Sequence, residues 1–270
     1  MLEFIFDEVT MSEDAGKSWL TRTQLLTDRE RKACRFVFHS MAGSLTSCLR
    51  CQVVLHVLRR LGFDVLSCQR PYARLRLALH ETGSPFAAAT PKLEIQMGCA
   101  SSQHTMYHES TCFRFLVEQW RRSGGASAPA GSSATQLQIS DWCAHVEFLL
   151  QEFRTQQVVA SSAANSGDRQ WVLRAMGTHL AAICAQLDTK RDDKSASGSE
   201  AILSRRVARF IVGDALSAAD ISLFVLLVAL AREESLLFTV FPFLKEYFFH
   251  LARSEPFSSC QEVLQALPKS

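Results

Sequence analysis

Two thiols stand three residues apart in Cys48-Leu49-Arg50-Cys51, where a β-like run gives way to a helical pattern. The thiolate is the nucleophile in cysteine chemistry, and a helix start supplies backbone N–H groups and a positive dipole end that stabilise it. That position would suit Cys48 for thiol–disulfide exchange. The plainer reading is chance: the chain of 270 residues holds nine cysteines, and Cys51 falls on the apolar face of the helix. Further along, Glu109-Ser110 opens another helical stretch. There a hydroxyl and free N–H groups would hold a carboxylate, or Ser110 would simply cap the helix. Cys99, His104, His108 and Cys112 carry metal-ligating atoms, but their flanking spacings fit no common zinc motif, and no metal is expected. No Gly-rich phosphate cradle and no Gly-x-Ser-x-Gly elbow occurs.

The elements that position these residues follow from periodicity. Residues 34–39 read as a short buried strand, 40–47 as a Ser/Gly-rich turn, and the next stretch as a helix with Cys51, Val54, Leu55, Leu58 and Leu61 on one face. On that pattern Gln52, His56, Arg59 and Arg60 face outward, and Gly62 stops the helix. Residues 63–68 read as a second strand, so the unit is βαβ with parallel neighbours. A helix is expected around 73–80, then a third strand over 90–95 opened by Pro91, a hairpin partner within 96–108, and a helix over 110–121. Residues 123–136 form a linker by composition, and 160–168 and 188–200 read as loops. Beyond the linker the periodicity is helical, at 140–153, 170–187, 201–211, 218–231, 241–252 and near the end. At the fourth of these, Ser217 and Asp220 make an Asp variant of the capping box, bracketed by Leu216 and Ile221 as a staple.

Composition narrows the function classes. Hydrophobic residues make up 47% and charged residues 21%, enough for a real core. Twenty-nine basic against 27 acidic side chains leave +2 without a basic block, which argues against direct nucleic-acid binding. The longest apolar run, 221–231, falls short of the ~20 residues a membrane span needs. The acidic start, Met1 to Glu8, resembles neither a secretory signal nor a transit peptide, and the odd, scattered cysteines suit a reducing compartment. A soluble cytoplasmic protein is the expectation.

The segment Phe210-Ile211-Val212-Gly213-Asp214-Ala215-Leu216-Ser217-Ala218-Ala219-Asp220-Ile221 resembles the capping-box helix of the cytosolic glutathione transferase superfamily. Phe241-Pro242 and Glu255-Pro256-Phe257 follow as in that family, and the Trp-bearing helix over 138–153 fits the opening of its α domain. The resemblance implies an α/β thioredoxin-like domain at 33–122 and an all-α helical-bundle domain at 137–270, joined by the linker 123–136 and preceded by an extension, 1–32. It also implies a cis Thr90-Pro91 bond and glutathione as co-substrate. Glutathione would lie across Thr90, Pro91, Glu109 and Ser110, beside Cys51, with its sulfur near Cys48. Counted back from Gly62, Cys48 falls where the family puts its activating Ser or Cys, favouring thiol transfer over conjugation. The interval from Pro91 to Ser110 is longer than the family pattern. A homodimer, or pairing with other proteins of this fold, is implied by the resemblance alone. A second reading is non-catalytic. The same fold serves as a docking module in aminoacyl-tRNA synthetase complexes and in the translation elongation factor 1 complex.

Overall fold

A computed structural model describes residues 34–41, 48–70, 91–97, 103–123, 132–162, 171–189, 206–234 and 236–267. The extension 1–32, the expected helix at 73–80, Thr90 with its bond to Pro91, and Cys99 lie outside the described residues. Four strands form the first sheet: β1 (Cys34–Met41), β2 (Asp64–Arg70), β3 (Lys92–Met97) and β4 (Gln103–Tyr107), in the order β2-β1-β3-β4. β1 runs parallel to β2, with Phe36 opposite Val65, and antiparallel to β3, with Phe36 opposite Ile95; β4 closes the edge antiparallel to β3. Parallel pairing of β1 and β2 requires a crossover, which α1 (Leu49–Arg60) supplies. Gly62 then turns the chain back at φ +88, a conformation that an L side chain would resist.

α1 is buried nearly all round, because the sheet lies on one side and helices lie on the other. It packs against α2 (Glu109–Arg122), and also against α5 (Ala218–Glu233) of the helical half. Of the expected outward face, Arg59 and Arg60 are exposed and His56 is half-buried, whereas Gln52 is not outward, and Leu61, expected on the apolar face, is exposed. Gln52 is buried, and its amide donates to Ser67 Oγ at 3.0 Å.

The helical half contains α3 (Ser133–Ser162), α4 (Trp171–Leu187), α5, α6 (Leu237–Val240), α7 (Pro242–Arg253), a 3-10 turn (Phe257–Ser259) and α8 (Gln261–Ala266). α3 starts inside the segment read as linker. Ser132 caps it there, its hydroxyl accepting from Thr135 N at 3.3 Å and its carbonyl from Gln136 N at 3.0 Å. The helix expected at 201–211 is absent over its described part. Arg206–Val207 instead pairs antiparallel with Asp188–Thr189, and the chain then turns irregularly into α5.

α5 is buried from Ala218 to Leu230, so its N–H groups can reach no water. The capping box forms: Ser217 N donates to Asp220 Oδ2 at 2.8 Å, and Asp220 N to Ser217 Oγ at 3.4 Å. The other Asp220 oxygen accepts from Ile211 N and from Tyr247 O–H, both at 2.7 Å. One carboxylate thus joins the turn before α5, the helix itself and α7. Burial pushes its pKa up against the pull of these donors. Asp220→Ala would leave several buried donors unmet, each costing about 1–3 kcal/mol. A loss of at least about 3 kcal/mol, read as a lower urea midpoint, is expected. Tyr247→Phe should cost less, because it removes one donor together with its need.

Candidate functional site

Cys48 is the residue immediately before α1, and its carbonyl accepts from Gln52 N at 3.1 Å. It therefore stands at the amino end of a helix, but enclosed, at 4% exposure. Cys51, one turn on, is 0% exposed and its thiol reaches the Glu109 carbonyl at 3.6 Å. That contact brings the amino ends of α1 and α2 side by side. Burial first, then the charges of Glu109, Cys112 and Cys48, raise the Cys51 pKa well above its ordinary value. Cys51 is a protonated thiol at neutral pH. A redox partner role for it would have to overcome that burial.

The Glu109 side chain is committed elsewhere in the protein. Arg50 Nε, 2% exposed, donates to Glu109 Oε1 at 3.0 Å, and Arg154 Nη2 from α3 donates to Oε2 at 3.1 Å. The Arg50 guanidinium also sits over the Phe113 ring, 5.0 Å from its centre. Burial works against the Arg50 charge, yet Glu109 outweighs it and holds the pKa above the usual value. The hydroxyl of Ser110 donates to Glu147 Oε1 of α3, and Arg114 Nη2 lies 3.7 Å from the other Glu147 oxygen. A carboxylate of the chain's own thus rests where Ser110 and the amino end of α2 would receive an anion. His108, the single residue between β4 and α2, has φ 70, in a region side chains rarely adopt.

Of the other sequence-predicted residues, Pro91 is buried immediately before β3. Cys112 lies inside α2 and its thiol points to the Met106 carbonyl at 3.8 Å. His108 is exposed, and among the described residues no group of three or more His, Cys, Asp and Glu side chains is arranged to hold a metal ion. Sequence reading missed Arg50, Glu147 and Arg154. Arg50 lay in plain view between the two cysteines, but its partner is 59 residues away and only the fold pairs them.

No family model matches the chain, and no curated protein sequence matches it. Solved structures do. Maleylacetoacetate isomerase from Anaeromyxobacter dehalogenans, solved with bound glutathione, aligns at a TM-score of 0.58 and 19% identity, over 86% of this chain and 96% of its own. A monomeric glutathione S-transferase from the hookworm Necator americanus aligns at 0.58 and 15%, over 87% and 98%. The sigma-class glutathione transferase of Fasciola hepatica aligns at 0.58 and 14%, over 88% and 99%. The chain therefore has the glutathione transferase fold, a thioredoxin-like sheet domain followed by a helical domain. No described helix is long and apolar enough to cross a membrane.

The buried thiols make a pH prediction. Cys51 is raised well above 9.0, and Cys112 and Cys260 are pushed up to about 12, burial being the largest cause in each. The unfolded chain therefore loses these protons at lower pH than the folded one. Their contribution to stability is complete below about pH 8.5 and falls as pH rises beyond it. The urea midpoint should drop steadily from pH 8.5 upward, and Cys51→Ala should flatten the slope. Iodoacetamide at neutral pH should modify Cys51 only after denaturation.

Proposed function

We propose that this chain is a glutathione-binding protein that carries out thiol transfer at Cys48. The observation that carries the reading is the meeting of two helix amino ends, Cys48 at α1 and Glu109-Ser110 at α2, joined by the Cys51 to Glu109 contact at 3.6 Å. Glutathione carries an α-carboxylate, beside an ammonium, at its γ-glutamyl end and a thiol at its centre. The amino end of α2 suits the first and the amino end of α1 suits the second. That the isomerase neighbour was solved with bound glutathione supports the assignment by likeness of fold. Thr90 and Pro91 would carry the cysteinyl backbone. In the reaction, the Cys48 thiolate attacks the glutathione sulfur of a mixed disulfide and the substrate thiolate leaves. A second glutathione thiolate then releases Cys48 as oxidised glutathione forms. We place the protein in the cytoplasm, where reduced glutathione would complete this cycle.

Two features set a condition on that reading. Cys48 is enclosed, and Ser110 already donates to Glu147. An incoming γ-glutamyl carboxylate would have to displace Glu147 and bear its repulsion meanwhile. The same features favour a second reading, a non-catalytic docking module in an aminoacyl-tRNA synthetase or elongation factor 1 complex. The exposed Leu137 and Phe148 on α3 would then seat a partner, a second copy included.

Calorimetric titration with glutathione separates the two. Under the first reading the protein binds glutathione weakly, and Glu147→Ala, which frees Ser110 and Arg114, tightens binding by about tenfold. Cys48→Ser should retain binding and abolish turnover of a glutathione mixed disulfide. No binding by either the native chain or Glu147→Ala, with synthetase or elongation-factor subunits co-purifying, would establish the second reading instead.

A further inference from the structure

The seam between α3 and α4 carries two imidazoles that the proposed thiol chemistry leaves unused. His145 of α3 and His179 of α4 have ring centres 5.5 Å apart and planes 51° apart, so they meet across the helices without stacking face to face. Trp142 stands edge-on to His145 at 5.8 Å, and Phe148 edge-on to His179 at 6.2 Å. Both histidines are half-buried, so both remain within reach of solvent.

Neither ring has a hydrogen-bond partner among the described residues. Each neutral imidazole therefore keeps an acceptor nitrogen that no protein donor meets. With no hydrogen bond to fix them, a half-turn about Cβ–Cγ exchanges ring nitrogens for carbons and leaves each ring in its plane. Each can thus turn a nitrogen toward the other. Burial first, then the neighbouring His179, lowers the His145 pKa, so its neutral, metal-binding form persists to lower pH.

The donor set and its spacing select the ligand. Zinc-type ions bind imidazole nitrogen at about 2.0–2.1 Å, which sets the centres of two rings sharing one tetrahedral ion about 5.2 Å apart. The 5.5 Å seen here needs only a small side-chain adjustment. Imidazole suits zinc, copper and nickel, whereas magnesium and calcium take oxygen. Asp141, exposed one turn before His145, adds a negative charge on the same face of α3. Thiols on these helices compete poorly. Burial raises the pKa of Cys184, and that of Cys143 to about 11, so both stay protonated at neutral pH.

We infer that His145 and His179 form an open site for one divalent ion of the zinc, copper and nickel group, with water completing its shell and the ion joining α3 to α4. Structural zinc sites are usually closed by four protein ligands, so one with two is exchangeable. The site is independent of Cys48 and of glutathione.

Nickel chloride is the probe, titrated calorimetrically into the untagged native chain near neutral pH. One ion should bind saturably per chain, and the urea midpoint should rise with nickel concentration. His145→Gln and His179→Gln should each weaken binding at least about tenfold and cancel the rise. His250→Gln, on the exposed side of α7, should change neither. Affinity should also fall as pH drops through the imidazole range, because protons compete for the same nitrogens. Urea midpoints without metal confirm that the variants fold; should one misfold, the other decides. Absence of saturable binding, or binding that a folded variant of His145 or His179 retains in full, would overturn the proposal. Loss of binding in His250→Gln would put the ion elsewhere and overturn it equally.

Discussion

A carboxylate buried between two guanidiniums ties three helices at one point. Glu109 opens α2, Arg50 comes from the first turn of α1, and Arg154 reaches over from α3. A buried carboxylate without partners would carry a desolvation penalty of several kcal/mol, so the three side chains are obliged to stay together. Once they do, the amino ends of α1 and α2 adjoin. The next residue, Ser110, meets α3, where Glu147 takes its hydroxyl. The sheet half and the helical half are therefore joined by charge at the amino ends of α1 and α2. At the other end of α1 the halves also meet, where His56 hydrogen-bonds Ser259 at 2.8 Å, Arg60 pairs with Glu255, and Val57, Trp120 and Phe210 line one cavity.

The fold was legible because its signals are local. Two strands, the helix between them and Gly62 could be read off residues 34–68, and the Ser217–Asp220 box off four neighbours. Errors came where distant partners override local pattern. Gln52 looks solvent-facing by helical spacing, but α1 is covered on both sides and the residue turns to Ser67. The Ser-rich stretch before α3 looked like linker throughout, yet Ser132 is well suited to capping and starts the helix early. Within the candidate site, sequence supplied the cysteines and the Glu-Ser pair. It could not supply Arg50–Glu109, Arg154–Glu109 or Ser110–Glu147, because each joins residues at least 37 positions apart.

Glutathione chemistry at such a site depends on which carboxylate occupies the amino end of α2. Under the glutathione reading, a ligand carboxylate there would bring a sulfur toward Cys48. The carboxylate of Glu147 brings only α3, which is already present. In the described geometry the second situation holds, so the position of Glu147 bears on both functional readings at once. It is the group whose movement would free Ser110, and whose retention keeps α3 joined to the start of α2.

His108 shows how much local backbone energy this arrangement commands. With φ at 70, a residue carrying a Cβ sits in a region usually left to glycine, at a cost of about 1–3 kcal/mol. The connection is a single residue, which leaves no slack between the end of β4 and the first carboxylate of α2. Glu109 and Ser110 consequently inherit their directions from the sheet. Any lengthening of that hinge would uncouple the sheet from the clamp, and with it the distance between Cys51 and the backbone it touches.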